Sequence, residues 1–585
     1  MNDICDIDSI LNDIIKEQNK WHKDIRELAK NEKVKKVLKL NIKPRIFPVM
    51  ERIFSRGFKS NPNTWGVIIL RGPRQIGKTT LVFYLAYRGV FKYGLDPRSV
   101  IYIDLSYWKL KQCIERGLLD LVELIRRLLE NKKKPILLVI DEASLFPEWS
   151  LIIKNLVEYN IITNGVATIV TGSHAVELAV EQSHLIGRYG PLCRDSEIRS
   201  GPRQYYYPLR FSEFAESLFD EVNQVFRELN LRVGRTKYAV IRHILDPNMD
   251  PDKIRILKEL RESYLDVLQS AFKHYILLGG YPFMTAFFKE HIDEVLSKGV
   301  PADLYQVIYS GLMSDINKFS KYMLREEVFR ELIKSISERH MEEHIGLEVN
   351  YNDLAGLIRH IGKASSLPYR SKNYTEVLRA HLDYLAGIKA VIEVKPLKFS
   401  NGRFIIESGK PLAKLVFIDP SIAISVYAFT HNIPDPYKHV TRLLEDRGLP
   451  SLVEAIMLAH LIRIPQLLSP SFEELIEPIG YLVKHSEVRE DNTVKYIRKG
   501  EIDGITWFYS YSDAKHVYIP VEVKHTPKEA HIDDNKVEVL RGAPPIYSGT
   551  RLILTVAFDL NDVYQDEYKN IKYIVIPLPL FLAII

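Results

Sequence analysis

The sequence predicts an α/β fold built around a parallel β-sheet with helices on both faces. Three observations support this prediction. Between Trp65 and about Phe214, five short β-rich runs (WGVIIL, VIYIDL, PILLVID, VATIVTG and QYYYPL) alternate with stretches of helical periodicity. A glycine-rich segment follows the first run directly, and two acidic residues end the third. Strands that alternate with helices in this way pair side by side in one parallel sheet.

The chain of 585 residues is too long for a single core, so we expect several domains. Helical periodicity dominates on both sides of the sheet region, and a helix, loop, helix and hairpin order typical of a winged helix follows. The rest of the chain is mixed α/β. The predicted domains are an N-terminal helical segment (1–57), the sheet region (58–215), a helical lid region (216–340), a winged helix (341–398) and a C-terminal mixed domain (399–585).

The composition is that of a soluble globular protein, with 46% hydrophobic and 26% charged residues. A net charge of +6 permits a nucleic-acid surface without requiring one. The acidic N-terminus does not resemble a signal peptide, and the apolar tail YIVIPLPLFLAII is too short for a membrane span, so we expect no membrane association and a buried final strand with a cap. Cys5, Cys113 and Cys193 lie far apart in the sequence without zinc-site spacing, which indicates a reducing, cytoplasmic setting.

Residues 72–79 read GPRQIGKT and fit the pattern G-x-x-x-x-G-K-[ST] between a strand-like and a helical run. Backbone N–H groups of such a loop point at phosphates, and the following helix N-terminus adds a positive dipole. The sequence therefore predicts an ATP site in which Lys78 contacts the β- and γ-phosphates and Thr79 binds Mg²⁺. The residues expected to line the site are Gly72, Pro73, Arg74, Gln75, Ile76, Gly77, Lys78, Thr79 and Thr80.

The third run, PILLVIDEAS, ends in Asp141 and Glu142. A carboxylate at the end of a buried strand beside the phosphate loop can hold Mg²⁺, and an adjacent one can polarise the attacking water. We assign Asp141 to the metal and Glu142 to the general base. Taken alone, an apolar strand that ends in Asp-Glu is common; its place in the alternating pattern favours the functional interpretation.

Further polar residues are candidates for contacts with the transferred phosphate. Thr171 or Ser173, at the end of VATIVTGSH, could contact the γ-phosphate or the water; the alternative is that this segment turns the chain and caps a helix. Arg188 in LIGRYG and Arg203 before the fifth run are candidates for stabilising the charge of the transition state. The sequence leaves open which of these residues has the role.

The segments GPRQIGKTTL, LLVIDEAS, VTGSH and YPLRFSEF, in this order, resemble the AAA+-type ATPases of bacteria and archaea whose phosphate loop reads GPRQxGKTT. LLGGYPF and FIDPSIA extend the resemblance over about residues 45–585. The resemblance implies a P-loop ATPase core, a helical lid, a winged helix and a nuclease-like C-terminal domain, with ATP and Mg²⁺ as cofactors. The insertion YGPLCRDSEIRSGPRQ departs from the family pattern and leaves the arginine assignment open.

The C-terminal domain resembles PD-(D/E)xK nucleases, in which a helix often supplies a glutamate, one strand an aspartate and the next strand acid-x-lysine. The corresponding residues are Glu454 in SLVEAIML, Asp503 in GEIDGITW, and Glu522 with Lys524 in YIPVEVKH. The carboxylates of such a site hold one or two divalent cations over a phosphodiester, and the lysine positions the water. The alternative is a retained scaffold whose acids form a solvated edge or a weak metal site.

The predicted winged helix has two interpretations. Such modules bind DNA through a recognition helix and a wing, whereas within ATPases they also serve as packing or oligomer contacts. The segment LPYRSKNYTEVLRAH carries Arg370, Lys372, Tyr374 and Arg379, residue types that contact phosphates. A second EVK at 393–395 lacks a preceding Asp-Gly hairpin and is interpreted as a strand of this domain.

From the motifs and the resemblance together we expect a Mg²⁺-dependent ATPase coupled to DNA binding or DNA processing through its C-terminal domains. The main alternative is an ATP-dependent signalling switch whose C-terminal domain binds a protein partner and cuts no phosphodiester. An ATP-driven DNA motor is weaker, because the sequence carries no helicase-like motif beyond the nucleotide site. DNA is the expected partner, and a homo-oligomer and a protein partner stay open.

Overall fold

The computed structural model describes the chain except for residues 1–4, 60–63, 118, 147–148, 173–184, 186–187, 195–202, 223–243, 245–250, 315, 317–324, 343, 365–373, 402, 408–410, 465–478, 491–492, 511–514 and 544–550. The chain divides into two compact units. Unit 1 comprises Met1–Pro208 with Asp383–Lys389, and unit 2 comprises Leu209–Leu382 with Ala390–Ile585.

Unit 1 begins with short helices whose ends are set by local side chains. The side chain of Asn31 accepts hydrogen bonds from the N–H groups of Lys33 and Val34, so it caps the third helix. That helix ends at Asn41, whose positive φ of 55° is tolerated by asparagine. The helices are α1 (Ile7–Asp13), α2 (Arg26–Lys30), α3 (Glu32–Leu40) and α4 (Ile46–Lys59).

A five-stranded parallel sheet forms the core of unit 1, in the order β2-β3-β4-β1-β5. All five β-rich runs of the sequence form its strands, which confirms the predicted α/β class and the parallel sheet. Strands β1 to β4 are almost entirely buried, so each reads as a continuous apolar run. The strands are β1 (Gly66–Arg71), β2 (Val100–Asp104), β3 (Ile136–Asp141), β4 (Val166–Thr171) and β5 (Arg203–Tyr205).

Helices between the strands complete unit 1. They are α5 (Lys78–Phe91), α6 (Trp108–Glu115), α7 (Leu121–Leu129) and α8 (Trp149–Glu158). The buried side chain of Cys113 on α6 forms a disulfide with Cys5, which precedes α1. The sequence placed these cysteines 108 residues apart and gave no sign of the pairing; folding brings their Cα atoms to 5.5 Å. The disulfide ties the first helix to the core of the sheet unit.

In its described residues, unit 2 contains helices from its start to its end. They are α9 (Phe211–Leu218), α10 (Pro251–Leu278), α11 (Pro282–Glu290), α12 (Ile292–Lys298), α13 (Ala302–Met313), α14 (Glu326–Met341), α15 (Tyr351–Ala364), α16 (Tyr374–Gly387), α17 (Pro420–Thr430), α18 (Pro436–Arg447), α19 (Pro450–Leu461), α20 (Asp534–Arg541) and α21 (Leu578–Ile584). The end of α16 belongs to unit 1.

The remaining ten strands form one sheet. They are β6 (Glu348–Asn350), β7 (Val391–Ser400), β8 (Arg403–Ile406), β9 (Leu412–Phe417), β10 (Ile479–Glu490), β11 (Thr493–Ser510), β12 (Lys515–Lys524), β13 (Leu552–Val556), β14 (Tyr564–Tyr568) and β15 (Ile571–Pro577). The order is β14-β15-β13-β12-β11-β10-β7-β9-β6, and β8 pairs with β7. The sheet therefore joins strands from both sides of the predicted boundary at 398/399.

Two motif segments of the sequence, LLGGYPF and FIDPSIA, contact each other in unit 2. Asp419 caps α17, and its carboxylate accepts a hydrogen bond from the N–H of Gly280 at 2.7 Å. Gly279 has a φ of +67°, and a Cβ there would lie 2.1 Å from a carboxylate oxygen of Asp419. Glycine is therefore required, because only glycine accepts both the backbone conformation and the close approach.

Two buried histidines hold helices of unit 2 to neighbouring elements. Nε2 of His340 accepts a hydrogen bond from the N–H of Phe417 at 3.1 Å, and Nε2 of His460 accepts one from the N–H of Phe211 at 2.8 Å. In each ring Nδ1 faces the carbonyl four residues earlier, at 2.7 Å. Because Nε2 must be an acceptor, both imidazoles are neutral and carry the proton on Nδ1.

The apolar tail forms β15 and then α21, and nearly every residue of this segment is buried. The final strand matches the expectation from the sequence, and the cap is a short helix. Within the described ranges, none of the helices combines the length and the apolar character that crossing a bilayer requires.

Candidate functional site

The glycine-rich loop lies between the end of β1 and the start of α5 and wraps closely around Tyr206. Gly72 follows β1, and a Cβ on it would lie 2.3 Å from the carbonyl oxygen of Tyr206. Gly77 has a φ of +103° and precedes Lys78, the first residue of α5. Glycine is therefore favoured at both positions, because a Cβ on Gly72 would overlap the backbone of Tyr206 and Gly77 has a positive φ. Along the loop, Pro73 and Ile76 are buried, Arg74 and Thr80 are half-buried, and Gln75 is exposed with a φ of +60°.

Lys78 is buried, and its ammonium lies against the loop itself. Nζ donates hydrogen bonds to the carbonyl oxygens of Gly72 at 2.8 Å and Pro73 at 3.0 Å. The loop therefore holds a positive charge where its N–H groups and the N-terminus of α5 converge, which is the electrostatic setting that binds phosphate.

Thr79 and Asp141 meet beside the loop. The hydroxyl of Thr79 donates to Oδ2 of Asp141 at 3.0 Å, and Asp141 is only 2% exposed at the end of β3. The hydroxyl of Tyr102 donates to the same oxygen at 2.8 Å. Burial, followed by the charge of Asp141, raises the pKa of Tyr102, so the phenol stays a donor.

Sequence reasoning did not single out Tyr102. It lies on β2, which pairs with β3, and the register places Asp104 opposite Asp141. Residues two apart on a strand share a face. The signal was therefore the alternation in VIYIDL, but the sequence alone does not give the register that brings the phenol to Asp141.

Glu142, the candidate general base, follows Asp141 directly. Its φ of +57° is the left-handed conformation, and its N–H donates to Oδ1 of Asp141 at 3.0 Å. The side chain is half-buried. A strained backbone held at a carboxylate beside a phosphate loop is the kind of feature that concentrates at functional sites.

The residues present fit ATP and Mg²⁺. The hydroxyl of Thr79 and the carboxylate of Asp141 are hard oxygen ligands of the type that Mg²⁺ prefers. The loop supplies the ammonium of Lys78 and leads directly into the N-terminus of α5. A nucleotide triphosphate with its Mg²⁺ would be held by Lys78, Thr79 and Asp141.

The residues predicted to contact the transferred phosphate differ in burial and in their partners. Thr171 ends β4; it is fully buried, and its hydroxyl makes no hydrogen bond within the described residues. Ser173 lies outside the described residues. Arg188 forms an ion pair with Glu158 at 2.9 Å, with its side chain 36% exposed. The backbone of Arg203 lies in β5, but its side chain is outside the described part of the chain.

The predicted nuclease-like residues come from three elements of unit 2. Glu454 lies on α19, Asp503 on β11, and Glu522 with Lys524 on β12. The carboxylate of Asp503 accepts from the N–H of Val523 at 2.8 Å, and that of Glu522 accepts from the N–H of Asp503 at 3.2 Å. Folding thus brings the four residues to one region of the sheet.

The structure adds a lysine at the centre of these acids. Lys414 lies on β9 and is 1% exposed. Its Nζ lies 2.6 Å from Oε1 of Glu454 and 4.0 Å from Oδ1 of Asp503 and contacts the carboxylate of Glu501. Sequence reasoning missed Glu501, although its position two residues before Asp503 on the same strand places both on one face. Lys414 gave no signal, because it stands alone within the apolar run PLAKLVF.

Glu522 has its own ammonium partners. Nζ of Lys524 donates to Oε1 of Glu522 at 2.8 Å, and Lys536 on α20 contacts the same oxygen. We call the set of Lys414, Glu454, Glu501, Asp503, Glu522, Lys524 and Lys536 the carboxylate–lysine cluster.

Burial controls the protonation of this cluster. Burial alone would lower the pKa of Lys414, but the carboxylates of Glu454, Glu501 and Asp503 outweigh it and raise the pKa, so the ammonium stays charged. Burial raises the pKa of Glu454 to about 8, although the charge of Lys414 opposes this shift. The charged form of Lys414 is therefore a fixed part of the cluster.

The other EVK tripeptide has a structural account. Glu393 on β7 forms an ion pair with Arg379 on α16 at 3.1 Å and with Lys395 at 3.2 Å, and it contacts the hydroxyl of Tyr351. Arg379, a candidate phosphate contact, is thus paired within the fold. Tyr374 begins α16, and Arg370 and Lys372 lie outside the described residues.

Comparison with known proteins bears on the sheet region. Residues 64–215 match the family model described as AAA domain. The phosphate loop and the acid pair at the end of β3 lie within the matched residues. None of the curated proteins compared matches the chain.

Similar solved structures include a Walker-type ATPase of Pyrococcus abyssi, at 14% identity and a TM-score of 0.29, covering 64% of this chain and 94% of that chain. The Aeropyrum pernix ORC1 protein in complex with DNA has 14% identity and a TM-score of 0.27, covering 69% and 95%. The Thermotoga maritima RuvB Holliday junction branch migration motor has 13% identity and a TM-score of 0.25, covering 62% and 91%.

Proposed function

We propose that the chain hydrolyses ATP with Mg²⁺ at the phosphate loop and couples this reaction to DNA binding or processing by unit 2. The observation that carries the proposal is the contact of 3.0 Å between Thr79 and Asp141 beside the loop that holds Lys78. A hydroxyl at the start of α5 and a carboxylate at the end of β3 converge there, within residues that match the AAA domain model.

Each residue has a definite role in this proposal. Lys78 exchanges its two loop carbonyls for phosphate oxygens and supplies positive charge to them. Thr79 and Asp141 hold Mg²⁺, which when bound neutralises charge on the phosphates. Tyr102 keeps the carboxylate of Asp141 oriented, and Glu142 orients the attacking water and accepts its proton.

The coupling to DNA is supported by the element order in residues 326–417. A helix, a short strand, two helices and a hairpin follow one another there, and β9 pairs with β6 on one side and with β7 on the other. This is the arrangement expected of a winged helix, in which the second and third helices support DNA contacts. We propose that α16 and the β7–β8 hairpin form the DNA-facing part.

The nuclease-like assignment of the C-terminal domain is supported by its topology. The order α19, β10, β11, β12, α20, β13 gives three antiparallel strands in sequence and a fourth that joins β12 in parallel. We propose that this domain descends from the PD-(D/E)xK fold, with Glu454, Asp503, Glu522 and Lys524 at the positions of its catalytic residues.

A second candidate function is an ATP-dependent switch that binds a protein partner through unit 2. The observation that favours it is Lys414, whose ammonium lies among the acids that a nuclease would use for metal. In this version the ATP site works as proposed above, and DNA has no effect on turnover.

ATP turnover by the purified chain, with Mg²⁺ and with or without double-stranded DNA at two salt concentrations, separates these functions. DNA stimulation that weakens as salt rises supports coupling to nucleic acid, because phosphate contacts release counterions. ATP turnover that DNA does not change at either salt concentration refutes the coupling to DNA and supports the ATP-dependent switch.

Variants test the site itself. Lys78→Ala should abolish ATP binding, whereas Glu142→Gln should retain binding and lose turnover by about 10²- to 10⁴-fold, the usual contribution of a general base. The exposed Lys111 on α6 provides the matched control, and Lys111→Ala should behave like the wild type. Unchanged ATP affinity in Lys78→Ala would contradict the assignment of the loop.

A further inference from the structure

The carboxylate–lysine cluster contains a set of oxygens with the spacing of a cation site. Oxygen atoms of Glu454, Glu501 and Asp503 all lie within 4.8 Å of one another. A divalent cation shared by three such oxygens would lie about 2.0 to 2.6 Å from each. A cation shared by these three oxygens would therefore lie between them, next to two of the acids assigned to the nuclease-like site, Glu454 and Asp503.

The ammonium of Lys414 lies beside that position, close to two of the three carboxylates and 4.0 Å from Oδ1 of Asp503. Nζ of Lys414 lies 2.6 Å from Glu454, contacts Glu501 and also donates to the backbone carbonyl of Asp503 at 3.2 Å. A cation bound to the same oxygens would be pressed against a buried positive charge of the same sign, which is strongly unfavourable away from water. The donor set therefore does not fit a divalent cation in the presence of Lys414.

Neighbouring elements hold Lys414 in the cluster. It lies in β9, opposite Glu348 of β6 and Val394 of β7, so its backbone is held by a ladder on each side. Its ammonium also lies 4.8 Å from the ring centroid of Tyr481, whose hydroxyl donates to Glu348 at 2.6 Å. Moving the side chain out of the cluster would take this ammonium away from the buried carboxylates of Glu454 and Glu501.

The remaining carboxylate of the cluster, that of Glu522, is also paired with ammonium groups. The carboxylate of Glu522, which would complete a nuclease site, has Lys524 at 2.8 Å and Lys536 in contact. Three lysines therefore accompany four carboxylates, and a lysine that is already paired with the acid of its own motif is not placed to activate a water on a metal.

We propose that Lys414 is a built-in cation that replaces the metal of the ancestral nuclease site, so that the C-terminal domain binds its partner without cleaving phosphodiesters. This inference deepens the proposed function, because it rests on the nuclease-like assignment of that domain. It predicts that the wild-type chain has no saturable divalent-cation site that depends on Asp503, and that removing the ammonium creates one.

The test is Mn²⁺ binding to the full chain without nucleotide, measured by isothermal titration and by the electron paramagnetic resonance of free Mn²⁺. All chains carry Asp141→Asn, so that the nucleotide site contributes no metal. The wild-type cluster should bind no Mn²⁺ at concentrations up to about 1 mM, whereas Lys414→Met should bind one ion per chain. Adding Asp503→Asn to Lys414→Met should abolish that binding.

Lys484 provides the matched control, because it is a lysine of the same sheet with a carboxylate partner, Glu538, at 2.6 Å on the surface. Lys484→Met should gain no site. If Lys414→Met does not fold, Lys414→Gln keeps hydrogen-bond donors without the charge and replaces it. For either variant, Mn²⁺ should raise the thermal unfolding temperature, and it should not do so for the wild type.

Saturable Mn²⁺ binding by the wild type that disappears with Asp503→Asn would overturn the proposal. A folded Lys414→Met chain that gains no site would overturn it too, since Lys414 would then not be what excludes the cation. Neither result depends on ATP turnover, so a failure here is distinct from a failure of the proposed ATPase.

Discussion

Acid should destabilise unit 2 because of His340 and His460, which are neutral hydrogen-bond acceptors in the fold. Burial lowers the pKa of His340 to about 4, with Arg339 adding to the effect. Burial and the charge of Arg463 lower the pKa of His460 to about 3. Protonating either ring would turn an acceptor nitrogen into a donor that faces a backbone N–H.

The sign of the effect follows from these shifts. Each imidazole has a folded-state pKa below its unfolded value of about 6.5, so the unfolded state binds more protons. The stability contributed by each ring is fully present above pH 6.5 and is lost as the pH falls towards the folded pKa. Between pH 8 and pH 5 the loss amounts to about 2 kcal/mol for each histidine, or roughly 4 kcal/mol for the pair.

The assay is urea unfolding of the full chain between pH 5 and pH 8. Hydrogen exchange of peptides from α14 and α19 monitors the unfolding of unit 2. Replacing one of the two rings should remove its share of the pH dependence. In His340→Gln the loss of unfolding free energy between pH 8 and pH 5 should therefore fall by about 2 kcal/mol relative to the wild type.

His344 provides the matched control, because its side chain is 80% exposed and has no buried hydrogen bond to lose. His344→Gln should show the same pH dependence as the wild type. If His340→Gln loses as much stability between pH 8 and pH 5 as the wild type does, the assignment of the ring as a buried acceptor is refuted.

Three further changes have defined outcomes. Tyr102→Phe removes a hydrogen bond to the carboxylate of Asp141, and hydrogen bonds to charged groups are worth roughly 1.5 to 3 kcal/mol. The Mg²⁺ concentration for half-maximal ATP turnover should therefore rise about tenfold or more. An unchanged Mg²⁺ titration would contradict the role of the phenol. Gly279→Ala should lower the unfolding temperature by several degrees, because the new methyl group meets both a positive φ and the carboxylate of Asp419. The control is Gly94→Ala, which has the positive φ but, among the described residues, no neighbouring atom within 4 Å of the new methyl group. Equal losses of unfolding temperature in the two variants would show that the clash with Asp419 does not contribute. The disulfide between Cys5 and Cys113 joins residues that are 108 positions apart. Reducing it should lower the free energy of unfolding by up to about 4 to 5 kcal/mol and should lower the unfolding temperature. An unfolding temperature that a reductant does not change would show that the bond does not stabilise unit 1.

The sheet of unit 1 could be predicted because its strands are local and buried. The first four runs are largely apolar, and their strands occur where the runs stand in the sequence, whereas β5 overlaps the fifth run only at Gln204 and Tyr205. The loop at 72–79 could be placed for the same reason, since it needs only the end of one strand and the start of one helix. Its functional roles stay predictions.

The carboxylate–lysine cluster could be predicted only in part, because its members come from distant elements. Glu454, Asp503 and Glu522 follow a pattern along the chain, but Lys414 enters from β9, about forty residues before Glu454. A lone lysine in an apolar run carries no periodic signal, and only the pairing of β9 with β6 and β7 shows where it points. The disulfide could not be predicted for a similar reason, because its two cysteines lie 108 residues apart in the sequence.

The shared sheet of unit 2 changes what can be exchanged as a module. β7 is hydrogen-bonded to β9 on one side and to β10 on the other, and both of these strands follow the predicted boundary at 398/399. A chain cut at 398 would keep β7 without either neighbour and would expose two unpaired strand edges, a known route to aggregation. The segments on the two sides of residue 398 therefore share one sheet, and recombination that preserves folding must transfer both together.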